Sequence, residues 1–207
     1  ILTHHATLGA RPSSDLLSRR SIETLNGQRL ALDLGETVTI GEAKVLATDV
    51  PFDGGVVHVI DSVLMPETRS LAELAASTSA LSTLSAAVEA AGLTDQLSNE
   101  NGPFTVFAPV DSAFADLPAG ALDDLLQRQN RQDLVEVLGL HVVPGRLYAN
   151  ELLANGRTLT LLGESVEFSI QNGRLRVGDA EFIATDIEAA NGVVHLIDRV
   201  LSPQQSN

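Results

Sequence analysis

The 207-residue chain contains no cysteine, which excludes disulfide bonds, zinc–thiolate sites and thiol catalysis. It also has no tryptophan and a single tyrosine, and aromatic residues make up only 3% of it. An aromatic platform on which the bases of a single-stranded nucleic acid would stack is therefore excluded. Hydrophobic residues still amount to 44%, so we expect a substantial core built from leucine, valine, isoleucine and alanine.

Basic side chains are scarce, with 13 Lys and Arg against 27 Asp and Glu and a net charge of −14. A chain this acidic repels phosphate backbones, so we predict no binding to nucleic acid. The longest uncharged apolar stretch, residues 74–88, is too short to cross a bilayer and contains several serine and threonine residues. We therefore expect no direct insertion into a membrane.

The chain contains an internal repeat. Residues 43–66 read AKVLATDVPFDGGVVHVIDSVLMP, and residues 180–203 read AEFIATDIEAANGVVHLIDRVLSP, at an offset of 137 residues. Further upstream the offset is 136, where His5 aligns with His141. Chance does not produce a match of this length with one small gap, so the chain contains two related units.

The repeat divides the chain unevenly. One complete unit spans about residues 67–203, followed by a tail at 204–207, whereas residues 1–66 match only the second half of a unit. The first part has no counterpart of the apolar segment 104–110, so we expect it to present an open sheet edge. Two explanations remain open. An earlier segment belongs to a larger parent protein, which we favour, or residues 1–66 pair with a neighbouring chain.

Helix signals dominate the first half of the complete unit. Ser70 and Glu73 form a capping box that predicts the start of a helix, and Gly92 is suited to the end of the helical region. The spacing of leucine and valine residues predicts two further helices, at about 119–128 and 131–139.

Strand signals dominate the second half. Residues 104–110 form a short apolar run that predicts a buried strand, with Asp111 as the N-cap of the next helix. The Asn172-Gly173 pair predicts a two-residue hairpin turn, and residues 193–201 predict a central strand. Helices first and strands later indicate an α+β fold.

Asp198 stands out within the predicted last strand. It shares one face of that strand with the apolar residues Val194, Leu196 and Val200. A charge on an otherwise apolar face is costly unless it is hydrogen-bonded, so we predict a polar partner for Asp198.

Three segments of the complete unit resemble the signature segments of fasciclin-like domains. The first is TVFAPVDSAF at 105–114, the second is LHVVPG at 140–145, and the third is GVVHLIDRVL at 192–201. They occur in the family's order at plausible spacing, with one departure at Leu140, where tyrosine is common. The chain is thus identified as one complete fasciclin-like domain preceded by the C-terminal half of another.

The resemblance implies a β-wedge of two sheets with helices packed around it, usually in tandem extracellular, cell-surface or periplasmic copies. It implies adhesion through a protein or matrix partner, without catalysis or a cofactor, and it leaves self-association open. It also implies that the signature residues are structural. These are Thr105, Phe107, Pro109, Asp111, His141, His195 and Asp198.

His141 allows two interpretations. A catalytic base would require a nucleophile such as Ser112 in contact with it and an oxyanion hole, and the sequence has no G-x-S-x-G elbow. A structural histidine would be buried and bonded to the turn at Asp111 and Ser112. We predict the structural role, because His5 repeats the position in the partial unit.

The Asp186-Ile187 pair, copied as Asp49-Val50, is a candidate partner contact. In some animal relatives an Asp-Ile pair in this region is implicated in integrin binding, and the resemblance carries this role to Asp186 and Ile187. The alternative, which we favour, is that the aspartate caps a turn while the isoleucine fills the core.

Three classes of function follow, in order of preference. The first is a secreted or surface-attached adhesion module of bacterial type that binds a protein or matrix component. The second is a binder of a small ligand, a lipid or a glycan fragment, between sheet and helices, which an apolar pocket above about 300 Å³ would favour. The third is an enzyme. We predict no metal site, because the histidines lack zinc-site spacing and no EF-hand loop is present.

Overall fold

The computed structural model describes residues 1–98 and 101–202 of the chain. The chain separates into two compact units, Ile1–Glu67 and Thr68–Asn207. Pro203 and the tail predicted at 204–207 lie outside the described residues.

The first unit is built on a five-stranded antiparallel sheet with strand order β1-β2-β3-β4-β5. Its elements are a 3₁₀ turn at Leu2–His5, helix α1 at Ser13–Leu16, and strands β1 at Ser21–Glu23, β2 at Arg29–Leu34, β3 at Val38–Ile40, β4 at Ala43–Phe52 and β5 at Gly55–Ile60. Its small core is formed by Leu30, Ile40, Ala43 and Leu64.

The second unit places most of its helices before most of its strands. The helices are α2 at Leu71–Ser77, α3 at Ser82–Ala91, α4 at Asp111–Ala115, α5 at Ala121–Leu125, α6 at Arg131–Leu140 and α7 at Ala149–Asn155, with 3₁₀ turns at Ser79–Leu81 and Arg128–Asn130. The strands are β6 at Phe104–Pro109, β7 at Val142–Pro144, β8 at Arg157–Leu159, β9 at Ser165–Gln171, β10 at Arg174–Val177, β11 at Ala180–Ala189 and β12 at Gly192–Ile197. The predicted α+β class is confirmed.

A parallel strand pair lies at the centre of the second unit. The sheet order is β7-β6-β12-β11-β10-β9-β8, and β6 and β12 are parallel while the other neighbours are antiparallel. This pairing sets the first signature segment beside the third, with Phe107 opposite His195.

Both faces of the central pair are covered. Val106 and Val194 pack in a core formed with helices α2, α3, α4 and α6. Phe107 and Ile197 pack on the other face in a second core that also contains Phe168 of β9. The sheet therefore folds over so that its two halves face each other, which is the predicted wedge.

Two bulges bend strand β11 where the sheet folds. Its register against β12 shifts between Phe182 and Ala184 and again between Ala184 and Ile187. Strand β4 shifts against β5 at the equivalent positions of the repeat. Asp186 and Asp49 lie at these bulges with φ of 62° and 58°, in the left-handed region that aspartate tolerates better than most residues.

The predicted helix ends are confirmed in two places. Ser70 caps α2 in a reciprocal capping box with Glu73. Gly92 ends α3 with φ of 67°, where its lack of a Cβ permits the left-handed turn.

Asp111 does not cap its own helix, and that prediction was wrong. Val110, in extended conformation, takes the N-cap position of α4, so Asp111 is already helical. Its carboxylate instead accepts hydrogen bonds from the Thr83 N–H at 2.8 Å and the Ser82 hydroxyl at 2.7 Å, at the start of α3. These bonds, the Thr83 N–H first, lower the pKa of Asp111.

Two predicted elements are shorter than expected. The helix predicted at 119–128 spans Ala121–Leu125, because Gln127 is extended and leads into a 3₁₀ turn. The strand predicted at 193–201 ends at Ile197, because the chain then turns toward α6. The hairpin predicted at Asn172-Gly173 is confirmed as the connection of β9 to β10.

Strand β5 lies at the end of its sheet, and among the described residues it pairs with β4 alone. Val57 and Val59 are 46% and 42% exposed on it. Val194, the repeat equivalent of Val57, is only 3% exposed in the second unit, where helices cover the same face. The described part of the first unit thus presents an open edge and an apolar face.

No single helix of the described residues has the length and apolar character needed to cross a membrane. The segments Leu71–Ser77 and Ser79–Ala91 reach that length and apolar composition only in combination, and they are bent by 105° relative to each other.

Gly192 marks the closest approach of β12 to β6. A Cβ atom at this position would lie 2.1 Å from the Phe104 carbonyl oxygen and 2.9 Å from Leu71 Cδ1. Gly192→Ala should therefore lower the free energy of unfolding by about 3 kcal/mol, since backbone must move to relieve the overlap. Urea denaturation measures the loss, and hydrogen exchange should locate it in β6 and β12.

Gly55→Ala, at the repeat equivalent of Gly192, is the matched control. Within 4 Å, a Cβ there would meet only the Phe52 ring, at 3.0 Å, and Phe52 is 58% exposed, so we expect its ring to shift at little cost. We expect a loss below about 1 kcal/mol. Equal losses for the two variants would contradict the close approach of β6 and β12.

Candidate functional site

His141 is buried at the end of helix α6, with only 2% of its surface exposed. Its Nδ1 lies 2.8 Å from the carbonyl oxygen of Val137, and its Nε2 accepts the backbone N–H of Leu201 at 2.8 Å. Nδ1 must therefore carry the proton and donate it to the carbonyl. Neither ring nitrogen is left to act as a base on a substrate.

The predicted hydrogen-bond partner of His141, the turn at Asp111 and Ser112, was wrong. The ring is bonded to Val137 and Leu201, not to the turn at Asp111 and Ser112, whose aspartate is bonded to α3. The physical reason lies in the helix end, because the last carbonyls of a helix have no intrahelical donors and the ring supplies one.

His5 makes the same two bonds in the first unit. Its Nδ1 lies 2.9 Å from the carbonyl oxygen of Ile1, and its Nε2 accepts the N–H of Leu64 at 3.0 Å. Ile1 and Leu64 are the repeat equivalents of Val137 and Leu201. His5 and His141 therefore have the same structural role, since each ring joins two backbone segments by hydrogen bonds.

His195 occupies the centre of the second unit and is fully buried. Its Nε2 donates to the Leu147 carbonyl at 2.9 Å, and its Nδ1 accepts the backbone N–H of Asp186 at 3.2 Å. The ring also stacks on Phe107 at a centroid distance of 5.8 Å. Burial lowers the pKa of His195, so the ring is held neutral in the tautomer that these partners require.

The carboxylates of the two bulge aspartates accept hydrogen bonds from the first backbone N–H of a helix. Asp186 accepts the N–H of Ala149, the first residue of α7, at 2.8 Å. Asp49 accepts the N–H of Ser13, the first residue of α1, at 2.8 Å and also accepts the Ser13 hydroxyl. These bonds, the hydroxyl first, lower the pKa of Asp49.

The four candidate partner contacts differ in how much of each side chain is accessible to a partner. Asp186 keeps a side chain that is 42% exposed, although one carboxylate oxygen is bonded to α7. Ile187 packs half-buried against the helical core. Val50 is 44% exposed, and Asp49 has both oxygens bonded to Ser13.

Asp198 has the polar partner that its position requires. Its carboxylate accepts the N–H of Glu181 at 2.6 Å, and its own N–H donates to the Glu181 carbonyl at 3.0 Å. Asp61 forms the same pair of bonds with Lys44, at 2.8 and 3.0 Å. The Lys44 N–H is the main cause of a lowered pKa for Asp61.

The signature residues of strand β6 are buried. Thr105 Oγ1 donates to the Gly145 carbonyl and accepts the Leu147 N–H, both at 2.8 Å, which fixes the chain after β7. Phe107 and Pro109 lie in the interior, each less than 2% exposed.

Sequence reasoning missed a polar cluster beside the β11–β12 turn. The Arg146 guanidinium lies 2.5 Å from the Glu188 carboxylate, with its side chain 10% exposed, and also donates to backbone carbonyls within 189–192. The Tyr148 hydroxyl donates to Glu188 at 2.6 Å. The one signal in the sequence was that the single tyrosine of an aromatic-poor chain follows the second signature segment.

Neither residues 1–98 nor residues 101–202 contain a group of three or more histidine or acidic side chains that could hold a metal ion. A cavity of about 400 Å³ does lie in the helical core of the second unit. Aliphatic side chains from α3, α6 and the central strands form most of its lining.

These observations define a repeat-built α+β domain in which buried histidines and bulge aspartates join backbone segments. The chain belongs to the fasciclin domain family, since the family model described as Fasciclin domain matches residues 1–66 and 79–203.

The relatives include bacterial and animal proteins. The chain is 43% identical over 145 residues to Protein sll1483 of Synechocystis sp., across 70% of this chain and 79% of that protein. It is 31% identical over 204 residues to transforming growth factor-beta-induced protein ig-h3 of Sus scrofa, across 98% of this chain and only 29% of that protein. The chain thus spans less than a third of the animal relative.

A solved structure shows the same fold. It is a FAS1 domain pair from the insect cell adhesion molecule Fasciclin I, with a TM-score of 0.61 and 21% identity. The match covers 95% of this chain and 77% of that chain.

Burial lowers the pKa of His141 from 6.5 to about 4. Between these pH values the unfolded chain binds a proton at His141 that the folded protein does not bind. The contribution of His141 to the free energy of unfolding is therefore fully present above pH 6.5 and is lost as the pH falls toward 4. From pH 7 to 4.5, the wild-type protein should lose about 2 kcal/mol more free energy of unfolding than His141→Gln. Denaturation at the two pH values measures this, and the carboxylates titrate alike in both proteins. Equal losses would contradict a buried neutral His141.

Asp186 combines a backbone and a side-chain contribution that substitution can separate. Asp186→Ala loses the helix contact and places a Cβ-bearing residue without a polar side chain at φ of 62°, so we expect a loss of about 2–3 kcal/mol. Asp186→Gly loses the contact alone, at about 1 kcal/mol. Asp186→Asn tolerates the φ and keeps an acceptor, so it should lose least. Chemical denaturation of the three variants tests this order, and Ala no worse than Gly would contradict the backbone contribution.

Proposed function

We propose that the protein is a non-catalytic adhesion and interaction module that binds a protein or a matrix or cell-surface component outside the cytoplasm. The observation that carries this proposal is that the polar side chains of the candidate site are hydrogen-bonded within the protein. His141, His195, Asp186 and Asp198 are all engaged in internal hydrogen bonds. Their equivalents in the first unit make corresponding bonds, except that His58 is bonded through Nε2 alone. Side chains engaged in this way stabilise a scaffold, so partners are left to the surface.

The family supports an adhesive role. The solved relative is described as a pair of domains from an insect cell adhesion molecule, and ig-h3 is related across nearly all of this chain. An extracellular or surface location, expected from the family resemblance, is part of the same proposal.

The surface we propose for the partner is the leucine run, defined as Leu159, Leu161 and Leu162. These side chains are 60%, 52% and 40% exposed within four residues of each other. Clustered exposed aliphatic side chains are characteristic of contact surfaces, whereas single ones are ordinary. Asp186 and Val50 are the accessible members of the sequence-derived partner contacts and form a secondary proposal.

The test uses fluorescently labelled full chain and whole cells of the organism that carries the gene. We expect saturable binding to the cell surface, reduced at least tenfold in the double variant Leu159→Ser/Leu161→Ser, because apolar contact area is lost. Ile170→Ser is the matched control, since Ile170 is an aliphatic residue with 61% exposure outside the run.

Absence of saturable binding would contradict the adhesion proposal. Equal losses for the leucine variant and for Ile170→Ser would leave the module but reject the leucine run as its contact surface. Loss of binding in Asp186→Asn alone would instead favour the secondary contact.

A further inference from the structure

The helical core of the second unit contains a cavity of about 400 Å³. Its walls include Leu81, Leu84 and Val88 from the α3 region, Leu138 from α6, and Val106 and Val194 from the central strands. Protein interiors are normally packed as densely as organic crystals, with few voids larger than a water molecule. A cavity of this volume lies within the range of small-ligand sites.

The lining limits the chemistry of an occupant. Aliphatic side chains form most of the lining, and its polar side chains are Gln96, Asn101 and His141. The ring nitrogens of His141 are both bonded to backbone groups, so the two amides are the polar side chains left for a ligand that needs many hydrogen bonds. A glycan would leave most of its hydroxyl groups without partners in such surroundings, which is costly. An alkyl chain needs no partners and gains from leaving water.

Arg131, an exposed residue, lies close to this cavity without lining it. A second cavity shares Leu93, Gln96 and Val135 with the first and is lined by Arg131 as well. The Nε of Arg131 donates to the Ala91 carbonyl at 2.9 Å, which holds the guanidinium at this place. Within the described parts of the chain, Arg131 forms no ion pair, so its terminal nitrogens are available to a ligand.

The position of Arg131 is informative because cations are rare in this chain, at 13 against 27 acidic residues. Guanidinium groups bind carboxylates with paired, charge-assisted hydrogen bonds. An apolar cavity whose neighbouring surface pocket is lined by such a group complements a molecule with an alkyl chain and a terminal carboxylate.

We propose that this cavity binds a free fatty acid of medium chain length, with the alkyl chain between α3, α6 and the central strands and the carboxylate paired with Arg131. Access is provided near Leu161 and Leu162, which line the cavity and are 52% and 40% exposed. Leu161 and Leu162 also belong to the leucine run, so the two proposals share these residues, whereas Leu159 belongs to the run and does not line the cavity.

The test is calorimetric titration of the full chain with octanoate, decanoate and dodecanoate. We expect one molecule bound per chain and an affinity that rises about fourfold for each added methylene until the cavity is full. Ala75→Leu, which places a larger side chain into the cavity lining, should lower the affinity for dodecanoate at least tenfold. Its circular dichroism spectrum and melting temperature confirm that the variant folds.

Head-group recognition has its own pair of variants. Arg131→Gln should weaken dodecanoate about tenfold and leave dodecanol unchanged, because only the carboxylate requires the guanidinium. Arg128→Gln removes the same charge from an exposed position nearby and should change neither. Leu159→Ser, which alters the leucine run but not the cavity lining, should also leave binding unchanged, so failure here and failure of the adhesion proposal are distinguishable.

Several results would overturn the proposal. These are the absence of dodecanoate binding, binding of many molecules per chain, or binding that is insensitive to Ala75→Leu, the last two of which indicate adsorption to the surface. Cosedimentation with phosphatidylglycerol vesicles without affinity for free dodecanoate would assign the acyl chain to a membrane lipid and would also overturn it.

Discussion

Neutral histidines whose two ring nitrogens are both bonded to backbone groups are the interaction on which this structure depends. The clearest is His195, which joins the Leu147 carbonyl to the N–H of Asp186 at 2.9 and 3.2 Å in the fully buried centre of the second unit. A bulge removes that N–H from the ordinary ladder of the sheet. Without the ring, both backbone groups would be left unpaired, at about 1–3 kcal/mol each.

The bulge explains why a histidine and an aspartate occur together. The left-handed turn at Asp186 frees its N–H for His195 and turns its carboxylate toward the start of α7. Asp49 has the same conformation and the same relation to α1. The bond from the aspartate to the helix start is therefore repeated, and so is the bond from histidine Nε2 to a backbone carbonyl. The bond from the bulge N–H to the histidine is found in the second unit, whereas Nδ1 of His58 has no partner among the described residues. Both ring nitrogens of His141 and His195 are used in these internal bonds, whereas Asp186 keeps part of its carboxylate exposed.

Much of the fold could be predicted from local patterns. The capping box at Ser70, the glycine end at Gly92 and the hairpin at Asn172-Gly173 depend on a few neighbouring residues, and all are confirmed. Burial of His141 was expected from the repeat. The signature segments also identified the family, which the family model confirms.

Contacts between segments that are distant in sequence could not be predicted in the same way. These contacts nevertheless determine which polar side chains are bonded internally and where the cavity lies. The carboxylate of Asp111 caps a helix 28 residues earlier in the chain, the Arg146–Glu188 pair spans 42 residues, and the cavity is bounded by several elements at once.

The most direct test of the central role of the histidines is the ¹⁵N chemical shift of their ring nitrogens, measured by NMR across a pH titration. The account predicts that His141 carries its proton on Nδ1 and His195 on Nε2, and that His141 stays neutral until the pH approaches about 4. Titration of His141 near 6.5, or the opposite tautomer at either ring, would contradict it.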